Sequence, residues 1–241
     1  MTIKPALLVT WPLHEDYPVF RWNLERFKDY FSSIWVAFSN HHRELNISNF
    51  VRQKLPFVNF IDVERKRDDW RDDAVNAMLD KTQNEKYILF IEQDFLIKDK
   101  DFFDKVFKDD LDFIYYKEGE RIHPAFAVVK RELIDKTSKN FAANPPGDHF
   151  YTFFNEMPKG VNIEDLGVKK KEDFYHMAGL SHNYINFQFG DPFYHPINFL
   201  FYNFKNLQFP NQHPMFYEIE TQVENTYGHS PEHTFLNKFF P

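Results

Sequence analysis

Tyr87-Ile88-Leu89-Phe90-Ile91-Glu92-Gln93-Asp94-Phe95-Leu96-Ile97 is the stretch that decides how this chain folds. An apolar run stops at two carboxylates two residues apart, then becomes apolar again. A run of that length, rich in Ile, Leu and Phe, predicts a strand buried on both faces of a sheet. Side chains alternate along a strand, so Glu92 and Asp94 are expected on one side at its carboxyl end. In open α/β sheets ligands bind at that end. Two acidic oxygens there suit a hard divalent cation that also touches a phosphate. The competing reading is structural: both carboxylates cap the next helix or pair with Lys98 and Lys100.

Working outward, residues 6–10 are predicted as a short buried strand ended by Trp11-Pro12. Phe20, Leu24, Phe27 and Phe31 recur at three- and four-residue spacing, which predicts an amphipathic helix over 20–31. Residues 34–38 and 57–63 read as further strands, 47–54 as a helix and 64–69 as a charged loop. Ala74, Val75, Met78 and Leu79 fall in helical register within 72–81. This alternation predicts a parallel, doubly wound arrangement with right-handed crossovers. The second half is less regular, with strands expected at 113–116, 125–129, 161–166 and 174–178 and a helix starting over 131–136. Asn144-Pro145-Pro146-Gly147 is a loop signal, and Asp148 stands where the N-cap of the next helix is expected. Beyond Asn186, Pro, Asn and aromatic residues dominate without periodicity.

The 241 residues suffice for a substantial core, as one large domain or one domain with an extension. Aromatic content is high, with 30 Phe, 12 Tyr and 4 Trp, while 7 Gly and 14 Pro argue against low-complexity disorder. A net charge of −7 gives no global attraction to nucleic acid or anionic membrane, which leaves only local basic runs such as Lys169-Lys170-Lys171 and Arg65-Lys66-Arg67. The absence of cysteine excludes disulfides, thiolate catalysis and Cys-ligated metal. The apolar start over 1–10 is too short for a signal core or a membrane span, and no other long uncharged apolar run occurs. The cytoplasm is the expected location, with peripheral attachment at the inner face of the membrane left open.

Several consecutive segments resemble an inverting glycosyltransferase of the GT-A fold, most similar to the large family two. Leu7-Leu8-Val9-Thr10-Trp11-Pro12 resembles its first strand and donor-cradling loop, and Trp35 to Asn40 its second strand with a polar end. Asp72-Asp73-Ala74-Val75-Asn76 resembles the helix before the metal strand. Glu92-Gln93-Asp94 stands where the family has Asp-any-Asp, and His123-Pro124-Ala125-Phe126 resembles the acceptor-side strand. Gly147-Asp148 stands where an acidic pair opens the catalytic helix, and His176-Met177-Ala178-Gly179-Leu180-Ser181 resembles a late His-any-any-Gly-any-Ser segment. Two departures stand out: Glu92 replaces the usual first Asp, and His149 follows Asp148 where the family more often has Glu before Asp.

The resemblance implies an α/β fold with a mixed, mostly parallel sheet flanked by helices. It implies a GT-A domain over 1–186, with a nucleotide-sugar half (1–98) and an acceptor and catalytic half (99–186), and an aromatic-rich extension over 187–241. The implied reaction moves a sugar from a nucleotide-diphosphate sugar to the hydroxyl of a glycan or small-molecule acceptor, as in surface polysaccharide synthesis. The implied cofactor is Mn²⁺ or Mg²⁺, held by Asp94, Glu92 and His176, with His182 a rival for the last place. Asp148 is the expected general base, although Asp at a helix start is also a favoured cap. Donor contacts are expected from Thr10, Trp11, Pro12, Asn40, Arg71, Asn76, Glu92 and Gln93, with Trp11 and Trp70 either stacking on the donor or packing in the core. The aromatic extension reads as core or interface before it reads as an acceptor platform, and an oligomer is open.

Three other functions compete. A nucleotidyltransferase shares the acidic strand end but usually has a glycine-rich, basic loop, which Thr10-Trp11-Pro12-Leu13-His14-Glu15-Asp16 lacks. A non-catalytic carbohydrate- or nucleotide-binding module of the same fold is kept open by Glu92 and His149. A phage-type DNA-base glycosyltransferase is disfavoured by the acidic balance.

Overall fold

A computed structural model describes residues 3–11, 23–24, 26–39, 52–53, 55–64, 70–92, 95–142, 150–170 and 172–176. The strand at the centre of the sequence reading is β4, Tyr87–Ile91, and all five of its residues are buried. With β1 (Ala6–Trp11), β2 (Ser33–Ser39) and β3 (Asn59–Val63), it forms the order β3-β2-β1-β4, all parallel. β6 (Phe113–Glu118), β7 (Arg121–Lys130) and β8 (Val161–Asn162) complete a seven-stranded sheet in the order β3-β2-β1-β4-β7-β6-β8. β7 runs antiparallel to both β4 and β6, so the sheet is mixed and mostly parallel. Two short strands, β5 (Phe95–Ile97) and β9 (Phe174–His176), pair antiparallel in a separate ribbon.

Alternation divides the core into two aromatic layers. Ile88 and Phe90 of β4, with Ala127 and Val129 of β7, face the helix α1 (Trp70–Lys81), which buries Trp70, Ala74, Val75, Met78 and Leu79. Phe141, Phe150, Phe153 and Phe154 close the same layer. On the other layer Phe126 packs against Phe95 and against Phe102 of α2 (Phe102–Val106), with ring centroids 5.4 and 5.5 Å apart. Phe103 of α2 meets Phe27 and Phe31 edge-on at 5.2 and 5.3 Å. Each fully buried ring contributes several kcal/mol of burial, of the order of 2–3 by area, so these layers fix the ribbon onto the sheet.

The ribbon is held on its open edge by Asn23 and by Arg26, whose guanidinium donates to the carbonyls of Ile97 at 3.0 Å and Lys98 at 2.8 Å. Asn23 is buried, donates from Nδ2 to the Phe95 carbonyl at 2.7 Å and accepts the Ile97 N–H at 3.0 Å. The amide thus supplies two of the hydrogen bonds that a third strand would, and Arg26 a further one at the Ile97 carbonyl. Asn23→Ala leaves a buried donor and acceptor unpaired and is expected to cost about 1–3 kcal/mol, read as a lower midpoint in urea. Asn23→Asp, which sets a buried carboxylate oxygen against the Phe95 carbonyl, is expected to lose at least as much.

Several sequence expectations are corrected. The strand expected over 87–91 stands with those bounds, but the apolar residues after the acidic segment form a separate strand, β5, from Phe95. The strand expected over 161–166 is two residues long and turns into a 3₁₀ segment, Ile163–Leu166, ended by Gly167 at φ 83°. The helix expected after Asp148, α4, begins only at Tyr151 (Tyr151–Asn155), and its cap position is Phe150 with a left-handed φ of 65°. The helix expected over 131–136 is the single turn α3, Arg131–Ile134. Trp70 is 4% exposed in the α1 layer, which closes the stacking alternative for that residue. The aromatic extension over 187–241 lies outside the described residues.

Candidate metal centre

The site begins with a gap between parallel strands. β1 pairs with β2 through Trp11↔Phe38, but with β4 only as far as Leu8↔Phe90. Between β1 and β4 the strand order reverses, and there their carboxyl ends separate into a cleft, the position where open α/β sheets bind ligands. Thr10 of β1, Arg71 of the first turn of α1, Glu92, Pro124 and Phe150 line it.

Two further elements bring imidazoles to Glu92. β7 pairs with β4 through Ile91↔Phe126, and the Glu92 N–H continues that ladder to the Ala125 carbonyl at 3.1 Å. Against β6 the register jumps from Tyr115↔Ala127 to Tyr116↔His123, so residues 124–126 bulge. Pro124 has no N–H to offer a ladder, and the bulge accommodates it. Beyond the bulge the hairpin resumes through Lys117↔Ile122 and Glu118↔Arg121, turning at Gly119 with φ 61°. His123 and Glu118 therefore share a face. His176 arrives on β9, directly across the ribbon from Phe95, whose N–H donates to the Glu92 carbonyl at 3.1 Å.

The outcome is a closed ring of four groups. Glu92 Oε2 lies 3.4 Å from His176 Nε2 and 3.9 Å from His123 Nδ1. Glu118 Oε2 lies 3.6 Å from His176 Nδ1 and 3.7 Å from His123 Nε2. The imidazole centroids are 4.5 Å apart. Burial opposes ionisation of Glu92, yet a hydrogen bond with His176 and the attraction of His123, His176 and Arg71 hold its carboxyl below the usual range. Burial likewise opposes ionisation of Glu118, but Lys170, His176 and His123 hold it below the usual carboxylate range. Burial pushes the His123 imidazole below its ordinary value, with His176 and Arg121 acting in the same sense against Glu92 and Glu118. Two carboxylates and a neutral imidazole are the protonation states a divalent cation requires.

The distances also fit a cation. Oxygen and nitrogen donors lie roughly 2.0–2.6 Å from such ions, so two donors at right angles sit about 2.8–3.7 Å apart. Glu92 Oε2 and His176 Nε2, at 3.4 Å, fall in that window. Ligand atoms of Glu92, His123 and His176 all lie within 4.8 Å of one another. His123 Nδ1, however, already accepts the Ala125 N–H at 3.1 Å. A mixed carboxylate and imidazole set is compatible with several divalent ions, Mn²⁺ among them.

No family model and no curated protein sequence matches the chain. Among the solved structures it resembles are three glycosyltransferases. A mannosyltransferase from Pyrobaculum calidifontis, in complex with GDP-Man and Mn²⁺, aligns over 99% of this chain and 79% of its own at 13% identity and TM-score 0.48. GlyE of Streptococcus pneumoniae aligns over 79% of this chain and 52% of its own, at 13% identity and TM-score 0.45. GalNAc-T7 with UDP, GalNAc and Mn²⁺ aligns over 67% of this chain and 42% of its own, at 7% identity and TM-score 0.45. This chain spans about half the length of the last two. Identities of 7–13% leave the role of each residue to the geometry of this chain.

Of the residues singled out from sequence, Glu92, His176, Arg71 and Thr10 come together at the cleft end of β1 and β4. Asn76 donates to the carbonyls of Asp72 at 3.1 Å and Lys139 at 3.3 Å, so its amide ties α1 to the chain ahead of Phe141. Trp11 is the last residue of β1. Pro12, Asn40, Gln93, Asp94, Asp148 and the rival His182 lie outside the described residues. Sequence reading missed Glu118 as a site residue and gave His123 only a place on a strand. The available signal was Glu118-Gly119-Glu120-Arg121, a two-residue hairpin turn with Gly first.

Proposed function

We propose that this protein is a metal-dependent glycosyltransferase that moves a sugar from a nucleotide-diphosphate sugar to an acceptor hydroxyl with inversion. The observation that carries the reading is the Glu92 and His176 pair, 3.4 Å apart at the strand ends where β1 and β4 separate. A divalent cation there supplies charge neutralisation for a departing diphosphate. Arg71 adds a planar guanidinium matched to phosphate oxygens, and Thr10 a hydroxyl in the same lining. Asp148 is the proposed base that takes the acceptor proton, and Asp94 is proposed as a further metal ligand. A role in surface glycan synthesis follows from the same reading. Among the described residues no helix is long and apolar enough to cross a membrane.

The acceptor side of this reading is a groove that shares Pro124 with the cleft and is lined by Glu120, Arg121, Ile122, Tyr151 and Phe154. Tyr151 is 48% exposed there, as a ring that stacks on a sugar face would be. Tyr151→Ala is expected to lower transfer about tenfold, the loss of roughly 1.4 kcal/mol of stacking. Metal-dependent nucleotide binding is expected to stay as in the wild type. Equal losses in both would place Tyr151 in the fold rather than at the acceptor.

The test is a thermal-shift screen of UDP, GDP and their sugar conjugates, each with and without Mn²⁺. A ligand that binds only the folded state must raise Tm. Stabilisation by one nucleotide that needs Mn²⁺ supports the reading, and no shift with any nucleotide overturns it. Mn²⁺-dependent binding with neither transfer nor donor hydrolysis would instead identify a non-catalytic binding module.

A further inference from the structure

The imidazole of His176 has a nitrogen toward each carboxylate: Nε2 toward Glu92 at 3.4 Å and Nδ1 toward Glu118 at 3.6 Å. A neutral imidazole carries one proton and offers one lone pair. When no cation is bound, the proton is best placed on Nε2, facing Glu92. A cation held by Glu92 and His176 needs the Nε2 lone pair, so the proton must then lie on Nδ1 and needs an acceptor there. Metal-bound histidines generally donate that second N–H to a carboxylate, carbonyl or water, which fixes tautomer and ring orientation.

Resting on the metal reading above, we infer that Glu118 is the positioning carboxylate that holds His176 in the tautomer able to ligate the cation. Three observations on Glu118 support this. Its Oε2 also faces His123 Nε2 at 3.7 Å. His123 Nδ1 accepts the Ala125 N–H, so the single proton of that neutral ring lies on Nε2, pointing at Glu118. One oxygen of Glu118 is thus placed for both imidazole N–H groups, while Oε1 accepts from Lys170 Nζ at 3.1 Å and from the Tyr116 hydroxyl at 3.3 Å. Lys170 and Tyr116 anchor the carboxylate from behind, and His123 braces it from the side. The 3.6 Å separation from His176 Nδ1 shortens to a hydrogen bond with a movement of about half an ångström. The same arrangement makes His123 a brace rather than a ligand, because its Nδ1 lone pair is taken by backbone and its Nε2 points away from Glu92.

The experiment titrates the full chain with Mn²⁺ by electron paramagnetic resonance, and with diamagnetic Zn²⁺, which takes imidazole, by long-range ¹H–¹⁵N spectra of the imidazoles. In the wild type, Zn²⁺ is expected to convert His176 from the Nε2–H to the Nδ1–H form. Glu118→Ala is expected to weaken Mn²⁺ binding about 10–100-fold and to abolish that conversion. Glu118→Gln, which keeps an acceptor oxygen, is expected to fall between. Lys170→Met removes a partner of Glu118 but not the acceptor, and should leave the His176 tautomer change intact. Wild-type binding of Mn²⁺ with equal affinity in Glu118→Ala and Glu118→Gln overturns this inference while leaving the metal reading standing. Failure of the wild type to bind Mn²⁺ overturns both. An unchanged metal-free Tm in Glu118→Ala separates lost positioning from lost folding.

Discussion

Glu92→Ala is expected to abolish the stabilisation that a nucleotide and Mn²⁺ give together. At ligand concentrations about 100 times Kd, that stabilisation is about 2.7 kcal/mol, and nearly all of it should vanish. Mn²⁺ affinity should fall by at least the roughly 10–100-fold typical of losing a residue one step further from the ion. The metal-free Tm should move little, because Glu92 is 29% exposed and its attractions to imidazole and guanidinium are partly solvent-screened. Glu92→Gln sharpens the experiment: it keeps the side-chain shape between His176 and the cleft while removing the charge. If Glu92→Gln binds Mn²⁺ and nucleotide like the wild type, Glu92 is not a ligand and the cleft is not a metal-assisted donor site. Asp94→Ala is expected to give the same metal phenotype, since Asp94 stands two residues on in the same acidic segment.

What could be read from sequence follows how local each signal is. β4 declares itself because a strand buried on both faces is a continuous apolar run, and α1 because its buried residues repeat within one helix. Glu92 was legible for the same reason, as the first charge after such a run. Its partners were not. His123 reaches Glu92 only through the antiparallel β4–β7 pairing and a bulge at Pro124, across about thirty residues of chain. Nothing in the spacing of His123 and Glu92 encodes that pairing. Glu118 was nearer to legibility, since a Gly-first two-residue turn fixes the hairpin register and with it the shared face of Glu118 and His123. The helix start after Asp148 was misplaced because an Asp after Pro-Pro-Gly is a strong capping signal. The chain instead begins the helix past Phe150, whose ring is 8% exposed and edge-on to Phe90 at 5.2 Å. Burial of that ring outweighs the local preference against a left-handed Phe, a cost of order 1–3 kcal/mol.

Phe95→Ala is expected to be the most damaging single change to both stability and site. Phe95 is fully buried and lies against Phe174 at 5.0 Å, Phe126 at 5.4 Å, Tyr116 at 5.9 Å and Phe102 at 6.2 Å. Removing a ring from such a site typically costs about 3–5 kcal/mol, a large share of the roughly 5–15 kcal/mol that keeps a domain folded. The site should suffer beyond the loss of stability, because Phe95 pairs with His176 across the ribbon and its N–H closes the turn onto Glu92. Phe95→Leu keeps most of the volume, so the backbone bonds to Glu92 and Asn23 should survive with a smaller loss. Mn²⁺ affinity measured well below Tm distinguishes the two effects. A folded fraction of Phe95→Ala that binds Mn²⁺ as tightly as Phe95→Leu would mean that the ribbon only adds stability. Weaker binding by the folded Phe95→Ala protein would mean that the aromatic layer under the ribbon sets the distance between Glu92 and His176.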